Sequence, residues 1–250
     1  MNEAGAESGV LPRENPVPEP PRPGFGNEAY LALARAVSAG LAAHRDVRTV
    51  FVRRSLAAGE IAFGRSDIDF GLVLDSALAA PGEISRLIAL NRFYRFLRLF
   101  RPFIGEGLVY TEDDFRMYYV LDPFRASIDR RAAIRLRGPD IPRILAPVSP
   151  AAAIRRQIAW FEPYLTTALR RGSRRNMRKL ALESWNAHAV AMGWIPEPFV
   201  TRRETEAAWR RRSGGTLPED LREPRRAFRA ICKLAYTTHR RYHAPLAPLE

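Results

Sequence analysis

Cysteine is almost missing from this chain. The single Cys232 excludes an internal disulfide and suits a reducing compartment. Its neighbours Phe228, Ile231, Leu234 and Ala235 form a helical-looking apolar stretch, so a buried structural thiol is expected. Lysine is as scarce: Lys179 and Lys233 are the only two, and arginine carries nearly all of the basic charge. No apolar run approaches the roughly 18 residues that span a bilayer. The N-terminus also lacks a basic segment followed by an apolar one. These absences predict a cytoplasmic protein with no membrane partner.

The 250 residues suffice for one large domain or two modest ones, each able to bury a core. A net charge of +13 attracts polyanions of any kind, nucleotides included. Arginine pairs and triplets crowd the last third, at 170–171, 174–175, 202–203, 210–212 and 225–226. An arginine bias beside abundant alanine and proline is also what a GC-rich genome produces. No zinc-finger spacing and no aromatic-interleaved single-strand motif accompanies these clusters. Solvated helix faces explain them more simply, so nucleic acid is not the favoured partner.

Residues 1–25 are rich in proline, glutamate and glycine, have little to bury, and read as a disordered tail. Asn27 caps an expected helix through about Ala43, with Tyr30, Leu31, Leu33, Ala34, Val37 and Leu41 as its apolar stripe. Strands are expected at about 48–53, 67–75 and 103–110. Between the last two, an amphipathic helix should run from near Gly82 to about Arg101, where Pro102 ends it. Thr111 and Asp114 suggest a capping box for a helix over 113–121. Beyond Pro142 and Pro147 the texture becomes helical, with expected helices starting at Ser149–Pro150 and covering about 174–192, 202–212 and 219–241. The resulting division is a tail (1–25), an α+β core (26–145) and a helical bundle (146–250). His188, His239 and His243 show no ligand spacing with partner acids.

The chemistry concentrates between the first two strands. Val50, Phe51 and Val52 end in Arg53-Arg54-Ser55, Gly59 follows, and Ser66-Asp67-Ile68-Asp69 opens the next strand. Residues two apart on a strand share a face, so Asp67 and Asp69 set their carboxylates side by side. Two such charges repel unless a cation lies between them, and hard oxygen ligands suit Mg²⁺ or Mn²⁺. The Ser55–Gly59 turn offers a hydroxyl and backbone N–H groups to a phosphate. Together these parts are the minimum for metal-assisted phosphoryl or nucleotidyl transfer.

On these residues the sequence resembles the DNA polymerase beta-like nucleotidyltransferase superfamily. That family shows a Gly-Ser pair after a strand, a glycine four residues beyond the serine, and Ser-Asp-x-Asp opening the next strand. Ser55, Gly59, Ser66, Asp67 and Asp69 keep the spacing, and Arg54 stands where the family has glycine. The resemblance covers roughly residues 45–115. It implies a small mixed β-sheet nucleotidyltransferase core, followed here by the helical bundle that aminoglycoside-modifying relatives also carry. It further implies that Asp67 and Asp69 hold Mg²⁺ with a nucleoside triphosphate, and that Arg54, Ser55, Gly59 and Ser66 contact the nucleotide. A third acid is implied on the next strand, for which Glu106 is the candidate as both metal ligand and catalytic carboxylate; Glu112, Asp113 and Asp114 are rivals that the capping role explains. The expected reaction moves a nucleoside monophosphate to a hydroxyl acceptor, which could be a small molecule, a protein side chain or an RNA end. The rival expectations are a catalytically inactive nucleotide-binding module and an antitoxin-like interaction protein of the same fold.

Overall fold

The computed structural model describes residues 25–44, 46–75, 80–100, 103–112, 115, 122–140, 154, 174–214, 221 and 223–242. Residues 1–24 of the expected tail, the expected helix over 113–121 apart from Phe115 (Asp114 included), the helix start at Ser149–Pro150 and His243 lie outside these residues, and Phe25 opens the first helix. The chain separates into two compact units, one over Glu19–Val148 and one containing Ser149–Glu250.

The first unit is a mixed α/β assembly around a small mixed sheet. Helix α1 (Phe25–Leu41) leads into β1 (Val47–Arg53), a single helical turn α2 (Arg54–Ala57), and β2 (Ile68–Leu74). Helix α3 (Ala80–Leu97) and a 3₁₀ turn (Arg98–Phe100) precede β3 (Ile104–Thr111), then α4 (Pro123–Ala132) and β4 (Ile134–Arg137). The sheet order is β3-β2-β1-β4. Strand β1 pairs antiparallel with β2 and β4, whereas β3 runs parallel to β2. As a central strand, β2 is buried along its whole length, as its unbroken apolar run requires. Val50, Val52, Ile68, Phe70 and Leu72 join Tyr30, Ala34, Leu90 and Tyr94 in one core. Phe51 and Val73 face a second, smaller cluster with Phe115, Ala126 and Ala133.

Two elements here have no counterpart in the sequence reading. Helix α4 starts on Asp122, whose side chain accepts from the Arg125 N–H at 3.1 Å, with proline in the first turn. Strand β4 is four residues long and forms the sheet edge beside β1.

The second unit contains α5 (Arg174–Ala191), α6 (Arg202–Arg212) and α7 (Pro224–Tyr242), with α6 and α7 both packed on α5. Thr201 and Glu204 form a reciprocal capping box at the start of α6. Trp185 and Trp209 stack at 5.7 Å between ring centroids, fixing α5 against α6. Helix α7 begins at Pro224, later than the expected residue 219, because proline is favoured in a first turn and breaks a helix interior. Cys232 is exposed, contrary to the expected burial. Ala227, Ile231 and Thr238 define the packed face of α7, and Cys232 is one residue, about 100°, around from Ile231. Among the described residues no helix is long and apolar enough to cross a membrane.

His188 on α5 is buried and lies 2.6 Å from Thr238 Oγ1 on α7. That hydroxyl donates to the Leu234 carbonyl at 2.9 Å, so its one proton is committed and His188 Nδ1 must donate to it. Burial, then the nearby Arg212 and Arg241, hold the imidazole pKa down at about 4. The unfolded chain takes up this proton near pH 6.5 and the folded chain only near pH 4, so stability is full above 6.5 and falls through that window. The expected loss between pH 6.5 and 4.5 is about 2 kcal/mol, read from urea midpoints. A His188→Gln variant should lose this part of the pH dependence; an unchanged slope would assign it to other groups.

Candidate functional site

The site is built where β1 ends, β2 begins and β3 lies alongside. Arg53, the last residue of β1, pairs in register with Asp69. The backbone then turns sharply: Arg54 has φ 57°, in the left-handed region where a side chain costs about 1–2 kcal/mol. A glycine would adopt this conformation freely. The strain is held by a tight turn, in which Ala58 N–H donates to Arg54 O at 2.8 Å and Glu60 N–H to Ser55 O at 2.8 Å. Gly59 follows at φ 69° and needs no such support.

Helix α1 anchors this loop. Asn27 Nδ2 donates to the Gly59 carbonyl at 3.3 Å. The buried Tyr30 hydroxyl donates to Ser66 O at 2.9 Å and accepts from Gly64 N–H at 3.1 Å. Ser66 is itself buried, and its Oγ accepts from Ala62 N–H at 2.9 Å, which closes the loop from within. Tyr30 had appeared only as one apolar position of a helix. Its loop-anchoring role has no sequence signal, because the partners are backbone groups more than thirty residues away.

Asp67 is exposed and Asp69 is buried at 4% exposure, yet their carboxylates converge. A Cβ placed on Gly105 of β3 would stand 2.8 Å from Asp67 Oδ2 and 3.0 Å from Asp69 Oδ1. Glycine at 105 therefore makes the space into which both carboxylates fit. Arg54 completes the cluster, with Nη1 3.6 Å from Asp69 Oδ1. Among the described residues no group of three His, Cys, Asp or Glu side chains converges in this way. Glu106 lies on β3, in the irregular stretch between the Ile68–Ile104 and Phe70–Gly107 pairs, and so beside Asp69 in the ladder. Ser55 sits half-buried in the α2 turn.

Two acids suffice for Mg²⁺, which is usually bound through one or two carboxylates together with substrate phosphates and water. The paired oxygens over a side-chain-free Gly105 fit such an ion. Beneath the site, Arg53 forms a buried ion pair with Asp129 of α4 at 2.7 Å, tying the end of β1 to a helix the sequence did not reveal. No protein-family model and no curated protein sequence matches this chain, so the chemistry is read from this geometry.

Proposed function

We propose that the chain is a metal-dependent nucleotidyltransferase-like protein that moves a nucleoside monophosphate from a nucleoside triphosphate to a hydroxyl acceptor. The observation that carries this reading is the convergence of the Asp67 and Asp69 carboxylates over Gly105. These two acids would hold Mg²⁺ or Mn²⁺, with Glu106 of the neighbouring β3 as the proposed third carboxylate. When bound, the ion supplies neutralisation of the triphosphate and its developing charge. The Arg54 guanidinium beside Asp69 has the planar fork that suits a phosphate oxygen pair. Ser55 adds a hydroxyl on the same turn. A carboxylate of the cluster would accept the proton of the attacking hydroxyl. The resemblance implies a small mixed sheet, which the order of helix, strand, strand, helix and strand suits. The site chemistry and a location in the cytoplasm, where nucleoside triphosphates are available, are parts of the same proposal.

A second reading has one observation in its favour. Arg54 is a strained, left-handed residue that engages a proposed metal ligand, which fits a nucleotide-binding module without turnover.

Calorimetry with each nucleoside triphosphate and Mg²⁺ tests the reading. Asp67→Asn/Asp69→Asn should weaken magnesium-dependent binding by about tenfold or more, on the scale of losing charged ligands worth about 1.5–3 kcal/mol. Gly105→Ala should do the same, since its Cβ would crowd the oxygens of both Asp67 and the buried Asp69. Binding that survives both changes would falsify the proposal. Pyrophosphate release from bound triphosphate separates the enzyme from the inactive module.

A further inference from the structure

Helix α7 spends one face on packing and leaves the other without a described covering. Ala227, Ile231 and Thr238 are buried, and Thr238 meets His188 of α5. On the opposite face Arg225, Arg229, Lys233, Tyr236 and Arg240 are all exposed, Tyr236 at 62%. At 100° per residue these five side chains fall within a stripe about 80° wide, with Tyr236 between the cations. Along the axis, Arg225 and Arg240 are about 22 Å apart at 1.5 Å per residue.

The charge on this stripe differs from that on the neighbouring helices. On α5 and α6 three basic residues have acids beside them: Arg178 and Arg210 both bind Glu206 at 2.8 Å, and Lys179 lies 3.8 Å from Glu183. Helix α7 contains no aspartate or glutamate at all. Glu223, just before it, is taken by Arg226 at 2.9 Å. Among the described residues no carboxylate is paired with Arg225, Arg229 or Lys233. A solvated face that serves only solubility normally mixes both signs; this one is of a single sign and carries a large exposed aromatic ring.

We propose that this face of α7 binds single-stranded nucleic acid, with Arg225, Arg229, Lys233 and Arg240 on successive phosphates and Tyr236 stacking on a base. A row of cations that follows a backbone, interrupted by an aromatic platform, is the physical requirement for such binding. Arg240 lies 5.8 Å from the Tyr236 ring, so its guanidinium can hold that ring and still reach an anion. An anionic membrane is the poorer fit, because interfacial helices direct an apolar face outward and α7 buries its own. The inference is independent of the metal-site reading. The pattern escapes a linear scan because its members become neighbours only in helical phase.

Fluorescence anisotropy of the full chain with a short labelled RNA or DNA strand tests it. Arg225→Gln/Arg229→Gln/Lys233→Gln should weaken binding by more than about tenfold and make the log–log salt slope shallower by about 2, at roughly 0.7 per single-strand phosphate. Tyr236→Ala should weaken single-strand binding by about tenfold while sparing duplex binding. Arg92→Gln/Arg95→Gln, on exposed positions of α3, should leave affinity near wild type. All of these positions are exposed, so melting temperatures should stay unchanged and serve as the folding control. No oligonucleotide binding by the wild type, or an α7 triple variant no weaker than the α3 control, overturns the proposal. Binding to phosphatidylserine vesicles in place of oligonucleotides overturns it as well.

Discussion

Asp129→Ala should destabilise the first unit by about 3–5 kcal/mol, the usual penalty for breaking one side of a buried ion pair. Arg53 and Asp129 are 2% and 5% exposed and 2.7 Å apart, so water cannot replace the lost carboxylate. The guanidinium would remain in the interior with the Asp129 charge removed, and that loss of compensation for a buried cation, more than the absent bond, sets the magnitude. Asp129→Asn should fall between wild type and alanine, because the amide oxygen still accepts a hydrogen bond but offers no charge. Arg53→Met/Asp129→Leu should recover much of the loss, since an apolar pair removes both charges together. Urea denaturation followed by circular dichroism measures all three. A loss below about 1 kcal/mol for Asp129→Ala would place the pair in the weak class of surface bridges and refute its anchoring role. The same variants should also weaken triphosphate binding, because Arg53 directly precedes the Arg54–Ser55 turn.

How much of this was visible in the sequence depends on the range of each interaction. Strands β1 and β2 and helix α1 were legible because their apolar spacing is a local signal: Val50, Phe51 and Val52 on one, Ile68 to Leu74 on another, Tyr30 to Leu41 at helical period. The shared face of Asp67 and Asp69 follows from strand alternation alone. Helix α4 was missed although Asp122-Pro123 is a sound start signal, because Arg125, Asp129, Arg130 and Arg131 make its pattern look polar. Asp129 is buried against Arg53, and a pairing across that much chain leaves no periodic trace. Strand β4, Ile134–Arg137, is too short to announce a period. Cys232 shows the opposite error: apolar neighbours in sequence are not neighbours on a helix face. At the site, Gly105 looked like an ordinary strand residue beside Glu106. Its role appears only when β3 is laid parallel to β2 and its α-carbon comes under both carboxylates. Arg54 was visible as a departure from the motif that the sequence resembles, but its left-handed backbone was not.

Arg54→Gly should therefore separate the metal from the phosphate. In the wild type the guanidinium, 29% exposed, lies 3.6 Å from Asp69 Oδ1 and acts as a resident cation at the acid pair. Removing it leaves two carboxylates with less compensation, so Mn²⁺ alone should bind severalfold more tightly, a gain of up to about 1 kcal/mol. Triphosphate measured without metal should bind about ten- to a hundredfold more weakly, because a charge-assisted contact worth about 1.5–3 kcal/mol is gone. The fold should gain slightly, since glycine relieves about 1–2 kcal/mol of left-handed strain against roughly 0.5–1 kcal/mol of added chain entropy. Electron paramagnetic resonance of Mn²⁺ and calorimetry of metal-free triphosphate read the two affinities separately. Triphosphate affinity that rises in the glycine variant would mean that Arg54 obstructs the pocket, and the inactive-module reading would then replace the enzyme. If neither affinity moves, Arg54 has no part in the site, and its contact with Asp69 is only a strained turn reaching its nearest acid.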